Sequence, residues 1–422
     1  MKQYFWILFC IIVAPISVAQ TTLDTDSIEV AQQDSLMIVD AFDTLEFSTD
    51  PVPESIVSVT PDLLADRLSC IQQDIPLEYN KIVQGFINYY VERNRYYTRL
   101  MLYKKNIYFP ILEKHLSQFN LPTELKYLAI VESGLNPRAR SGASASGLWQ
   151  FMYMTGRTYG LYKDWYFDDR YDSEKATVAA CRYLAELYSM FKDWNLALAA
   201  YNCGPNRVRL AIRRSGNKNS FWEIYNFLPR ETRSYVPQFI AVYYALSYSK
   251  EHNLKEIACE EIIAHDTLNV KGFLHLPTLA NLTGGCIEEL RWLNPSILHD
   301  AIPNGNSFVL KMPIGSKLEL EKNRGPILDS ASRASRKEVE DMAKKAGGID
   351  GRDLVFYKVK GGDVLGIISQ RFHVRVSDIR RWNNLRSNLI RVGQRLKIWR
   401  PSSSDSRNLE ASLNPKKDSN IQ

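Results

Sequence analysis

Residues 121–152 read LPTELKYLAIVESGLNPRARSGASASGLWQFM, and the architecture of the chain follows from how this stretch folds. Pro122 suits the first turn of a helix, where a missing N–H costs nothing. Leu125, Leu128, Ala129 and Glu132 then recur at i, i+3, i+4 and i+7, the spacing of one buried helical face. The stripe ends in a carboxylate where a leucine would be ordinary. Gly134 and Asn136-Pro137 stop the helix just beyond, which sets Glu132 at an inner rim, partly out of water. Desolvation disfavours the charged form and raises a carboxyl pKa, as a general acid working near neutrality requires. On periodicity alone, a glutamate reaching solvent at a helix end is the better reading, because structural ion pairs are common.

The company that Glu132 keeps reverses that balance. Glu132-Ser133, Ser141, Gly147-Leu148-Trp149-Gln150-Phe151-Met152, Ala200-Tyr201-Asn202-x-Gly204 and Glu231-Thr232-Arg233-x-Tyr235-Val236 come in that order. Together they resemble the catalytic domain of the soluble lytic transglycosylases, the goose-lysozyme-like enzymes that cleave peptidoglycan. The resemblance covers residues 106–250, and separated motifs in the right order are specific where a bare Glu-Ser is not. It implies a mainly α protein: a lysozyme-like, all-α catalytic domain. Residues 60–105 read as a helical segment packing on that domain, with an aromatic stripe of Tyr96, Tyr97, Leu100, Met101 and Tyr103.

At 422 residues the chain calls for two or three domains, and 45% hydrophobic content is enough for real cores. Residues 1–19, with Lys2, an apolar run and Ser17-x-Ala19, read as a secretory signal peptide. The run is too short to span a bilayer comfortably, and Cys10 follows Phe9 rather than a small residue, so no permanent membrane anchor is expected. Residues 20–59 hold no Lys or Arg and many acids, the composition of a flexible leader. The five cysteines beyond the leader show no tight spacing, which describes no disulfide framework but leaves one pair open. The six histidines have no metal-ligand spacing; neither metal nor other cofactor is expected.

After residue 250 the pattern changes. Residues 354–399 follow a strand–helix–helix–strand plan with Trp382-Asn383-Asn384 and Ile390-Arg391-Val392-Gly393-Gln394. This resembles the LysM sugar-binding module, a small α+β (βααβ) unit, and the resemblance assigns carbohydrate contact to Gly362, Asp363, Val364, Ile390 and Arg391. Val364 stands where that family often has threonine. A shift of 89 positions exposes an earlier copy at 262–314, matching Val270-Lys271-Gly272 to Val359-Lys360-Gly361, Leu290 to Ile379 and Asn294 to Asn383. Phe273 and Leu274 replace Gly362 and Asp363 there, so packing is its preferred role. Residues 315–353 read as a linker with a short helix, and 400–422 as a disordered tail. Within 354–399 ten basic residues face two acidic ones, a local +8 against +6 for the whole chain. A basic face attracts polyanions. For a secreted chain the expected partner is the carboxylate-bearing peptidoglycan strand, not nucleic acid.

Ordinary glycosidases use two carboxylates, and this region offers one well-placed candidate. The resemblance implies that Glu132 protonates the glycosidic oxygen between N-acetylmuramic acid and N-acetylglucosamine. It then takes the proton of the muramic 6-hydroxyl, which closes on C1 as a 1,6-anhydro ring. Ser141 and Gln150, the latter on a helix opened by Gly147, would contact sugar. Tyr201 and Asn202 would line the cleft, the phenol orienting the acetamido group or the acid. Glu231 and Tyr235 would face the cleft from the last helix, Glu231 as the runner-up carboxylate. Local capping is the alternative for Ser141 and Asn202. A hydrolytic muramidase of the same fold and a silent wall-binding scaffold are the rival functions.

Overall fold

The computed structural model describes residues 58–257, 263–305, 307–345, 352–372 and 374–401. The stretch read as signal peptide lies outside them, as do the acidic leader but for residues 58–59 and the tail but for residues 400–401. Among the described residues, no helix is long and apolar enough to cross a membrane.

The first body is built from α1 (Pro61–Ile71), α2 (Lys81–Asn88), α3 (Arg95–Gln118), α4 (Leu128–Ser133), α5 (Tyr153–Thr158), α6 (Ser173–Phe191), α7 (Trp194–Cys203), α8 (Pro205–Arg214), α9 (Phe221–Ile224) and α10 (Arg230–Ser247). Side-chain caps start several of them. Asn80 Oδ1 accepts from Val83 N at 2.9 Å, Asp193 Oδ1 from Leu196 N at 2.7 Å, and Asp172 Oδ1 from Glu174 N and Lys175 N, each at 3.0 Å. In α7, Trp194 to Ala200 are all buried, six of the seven apolar, as befits a helix at the centre of the body. One core runs from Leu64 to Leu254. The boundary at 105/106 therefore needs correcting. It falls inside α3, which continues through Pro110, and residues 60–105 share the catalytic body's core rather than standing beside it.

The second body holds β1 (His265–Lys271), β2 (Leu274–His275), α11 (Leu276–Leu282), α12 (Ile287–Leu293), β3 (Ala301–Ile302) and β4 (Ser307–Pro313). Strands β1 and β4 pair antiparallel with Leu268 opposite Leu310, and β2 pairs with β3. Three further helices follow: α13 (Ile314–Lys322), α14 (Arg324–Arg333) and α15 (Arg336–Lys345). They overturn the linker reading for residues 315–345, because Leu320, Ile327, Ala331, Val339 and Ala343 are buried in this body's core. Basic residues dominated that reading, but they ride the outer faces of amphipathic helices. Tyr166 and Phe167, from the loop between α5 and α6, also belong to this core.

The third body pairs β5 (Arg352–Lys358) antiparallel with β6 (Arg395–Pro401), with α16 (Leu365–Arg371) and α17 (Val376–Trp382) between them. Val359, Leu365, Ile368, Ile379, Leu396 and Ile398 form its small core. The two βααβ units share one internal tie. Asn294 Nδ2 donates to Leu290 O and Lys311 O, while its Oδ1 accepts from Lys311 N. Asn383 makes the same three bonds with Ile379 O, Lys397 O and Lys397 N.

Candidate active site

Glu132 lies in the last turn of α4, whose Leu128, Ala129 and Ile130 are buried. The expected helix from Pro122 is a 3-10 turn over Thr123–Tyr127 that passes into α4. Gly134 and Leu135, both left-handed at φ 58° and 54°, end it. Tyr97 closes this end from the N-terminal side by donating its hydroxyl to Ile130 O at 3.2 Å, its ring lying directly against Gly134. Ser133 Oγ donates to Ala129 O and Leu148 O at 3.1 and 2.9 Å, so the serine after the acid ties α4 to the segment 147–152.

The Glu132 side chain is half-buried, and Tyr235 of α10 donates its hydroxyl to Oε1. Burial pushes the carboxyl up to about 7, although the tyrosine hydrogen bond works the other way by favouring the carboxylate. Tyr201 and Tyr235 are themselves raised well above an ordinary phenol, by burial first and then by the charge of Glu132, so both remain neutral donors.

The other anticipated residues fall into distinct places. Tyr201 donates to Trp149 O at 2.8 Å, so the phenol bonded to the acid is Tyr235 and Tyr201 holds the 147–152 segment. Asn202 Oδ1 accepts from the buried Thr232 Oγ1 at 2.8 Å, joining α7 to α10. Ser141 Oγ accepts from Ala145 N at 3.1 Å, which is the local turn bond. Gln150 is not on a helix: it turns left-handed at φ 46°, and α5 begins only at Tyr153. Its Nε2 is fixed on Gly147 O at 2.8 Å and Ala139 O at 3.3 Å. Glu231 is exposed on the first turn of α10, one turn before Tyr235. Trp149 is fully buried, with Nε1 on Thr177 Oγ1 at 2.9 Å.

Beneath this segment sits a buried ion pair, Arg170 with Asp168. Arg170 is buried, and its Nε and Nη2 grip Asp168 at 2.9 and 2.7 Å. Its Nη1 donates to Ser144 O and Phe151 O, both at 3.0 Å, on either side of Gln150. Burial opposes ionisation of Asp168, but Arg170 and Lys163 outweigh it and hold the carboxyl below its usual range. Gly147 completes the seat. At φ 81°, a Cβ there would lie 1.7 Å from Arg170 O. The acid-rich cluster at 168–172 thus supplies a turn, a cap and a clamp.

In the third body, Gly362, Val364 and Arg391 of the residues assigned to sugar are exposed, whereas Asp363 is half-buried and Ile390 packs against the small core. Val364 is 55% exposed, Leu389 84% and Val392 73%, and Leu389, Arg391, Val392 and Gln394 line an open groove. Gly362 is left-handed at φ 84°, and Asp363 is held by Tyr357 Oη at 2.6 Å and Lys360 N at 2.7 Å.

Residues 110–223 match the family model described as the transglycosylase SLT domain, and residues 357–399 the LysM domain. The chain is 29% identical over 317 residues to membrane-bound lytic murein transglycosylase D of Escherichia coli K12, covering 74% of this chain and 68% of that one. It is 38% identical over 77 residues to the N-acetylmuramoyl-L-alanine amidase XlyA of Bacillus subtilis, covering 18% of this chain and 26% of the other. Among solved structures it is similar to the 70 kDa soluble lytic transglycosylase SLT70 of Escherichia coli, at 19% identity and a TM-score of 0.31. That match covers 55% of this chain and 44% of the other, so the chain spans under half the length of this solved relative.

Proposed function

We infer that this chain, which carries a transglycosylase SLT domain and a LysM domain, is a peptidoglycan lytic transglycosylase held on its substrate by the LysM module. The observation that carries the reading is the state of Glu132: a carboxyl lifted to about 7, bonded to a phenol rather than to a second acid. Such a group holds a proton near neutrality and can deliver it to a glycosidic oxygen. An inverting or retaining hydrolase needs a partner carboxylate, whereas an attacking hydroxyl on the substrate makes one unnecessary.

The bond cleaved is the β-1,4 link from N-acetylmuramic acid to N-acetylglucosamine. Glu132 gives its proton to the leaving oxygen, the C1–O bond breaks, and the acetamido group stabilises the cationic sugar. The resulting carboxylate then takes the proton of the muramic 6-hydroxyl as that oxygen closes on C1, so the enzyme returns to its starting state without water. Holding the hydroxyl within the same sugar gives the attack the advantage of an intramolecular reaction. Tyr235 steadies the carboxylate at mid-reaction. Gln150 presents its amide oxygen to sugar, since its nitrogen is tied to backbone. Ser141, Tyr201, Asn202 and Glu231 shape the cleft around the glycan.

The periplasmic wall is the expected site of action, in keeping with the signal-peptide reading of residues 1–19. Digestion of purified peptidoglycan followed by mass analysis tests the assignment. Anhydro-muropeptides, one water lighter than reducing-end products, are expected. Reducing ends alone would make the enzyme a muramidase, and no digestion would leave a scaffold.

A further inference from the structure

The two βααβ units share a plan and an asparagine tie, yet their loops have opposite fates. In the downstream unit, the loops at 361–364 and 389–394 share no strand pairing among the described residues, and their apolar tips Val364, Leu389 and Val392 are exposed. The corresponding loops upstream are zipped together. Leu274 pairs with Ile302 and His275 with Ala301, and Leu276 N donates to Asp300 O at 2.8 Å. Phe273, Leu274, Ala301 and Ile302 are buried, the last two completely, and the Arg336 guanidinium of α15 lies over the Phe273 ring at 5.8 Å. The loops left unpaired downstream are here closed on each other and roofed by a later helix.

The adjoining loop faces the catalytic body. Phe167 bridges to Ile297, Leu298 N donates to Tyr166 O at 2.8 Å, and Asp168 N donates to Ser296 O at 2.9 Å. Trp165 stacks on His299 with ring centres 3.8 Å apart, and Phe167 stacks on Phe308 at 5.1 Å. Asp168, the last residue of this seam, is the one that Arg170 grips while holding Ser144 O and Phe151 O.

We propose that the upstream module is closed to glycan and is a brace: it holds the 162–168 loop of the catalytic body, and through Asp168 and Arg170 it fixes the segment 144–151 that presents Gln150. This rests on the downstream module being the chain's glycan reader. It also makes sense of Phe273 and Leu274, which would obstruct sugar but complete a core.

Hydrogen–deuterium exchange on the full-length chain tests both parts, with Glu132→Gln present so that the probe, a β-1,4 oligomer of N-acetylglucosamine, is not consumed. The oligomer should slow exchange at 361–364 and 389–394 and leave 272–276 and 294–303 unchanged. Protection at the upstream loops would overturn the proposal. Protection at neither module would support closure of the upstream one while sinking the glycan reading of the downstream one. Separately, Trp165→Ala and Phe308→Ser, each without oligomer, should speed exchange at 162–170 and at 144–152 at least tenfold, with α6 and α10 keeping their protection. Unchanged exchange at 144–152 in both variants, or loss of protection throughout the catalytic body in both, would overturn the brace. Trp165 is partly exposed, so its replacement loosens the seam without opening a core.

Discussion

At the scale of single residues, function turns on how tightly Glu132 keeps its proton. Glu132→Gln should cut wall digestion by roughly 10²-fold or more, the usual worth of a positioned acid, with sedimentation onto purified wall unchanged. The same change should stabilise the fold in one pH window. The native carboxyl titrates near 7 against 4.5 when unfolded, so the folded chain holds the proton longer and loses stability as pH rises through that interval. The Gln variant should therefore gain roughly 1–3 kcal/mol above pH 7 and nothing below pH 4.5, measured by urea melts. Tyr235→Phe removes a donor that favours the carboxylate, so the Glu132 pKa should climb. The alkaline limb of the pH–rate profile would then move to higher pH while the total rate falls. In the sequence, the apolar stripe alone pointed to a glutamate reaching solvent, and only the ordered motifs around Glu132 singled it out as the candidate acid. The resemblance left Tyr201 orienting either the acetamido group or the acid, and only the packing of α10 on α4, which brings the Tyr235 hydroxyl to Glu132, separates the two phenols. Arg170 was missed because a buried ion pair, written out in sequence, looks like any charged turn.

At the scale of elements, the segment from Gly147 to Met152 depends on backbone geometry more than on side chains. Gly147→Ala should fail structurally: the left-handed φ costs about 1 kcal/mol for any other residue, and the clash with Arg170 O adds backbone displacement. Thermal denaturation should register a loss of several kcal/mol, of the order seen for strained core substitutions. A milder test is Asp172→Ala, which removes the cap of α6 and should cost about 1 kcal/mol without altering product chemistry. The βααβ plan was readable from the sequence in both of its copies. The boundary expected at 105/106 falls within α3, which runs on for 24 residues through Pro110, because contacts on both sides of the proline outweigh one lost backbone bond. The helices after β4 were taken for a tether because their apolar positions are few, and each is buried only once all three have folded back.

At the scale of the whole molecule, the matched stretch 110–223 is smaller than the working site. Tyr235 and Thr232 lie beyond it and Tyr97 before it, so a chain trimmed to those residues should fold poorly and digest nothing, as zymography would show. The strongly basic 354–399 unit should make wall retention salt-dependent, with the bound fraction falling between 50 and about 500 mM salt as the Debye length shortens. Turnover on short soluble fragments should change little over the same range. Organisation at this level was only partly legible: the repeat announced two related modules, but nothing in it told that one would be turned inward. That arrangement has a thermal consequence. Tyr166 and Phe167 lie in the upstream module's interior, whereas the downstream module's interior is built from its own residues alone. Calorimetry should accordingly resolve two events: a small endotherm for the wall-reading unit, and a large cooperative one in which brace and enzyme come apart together.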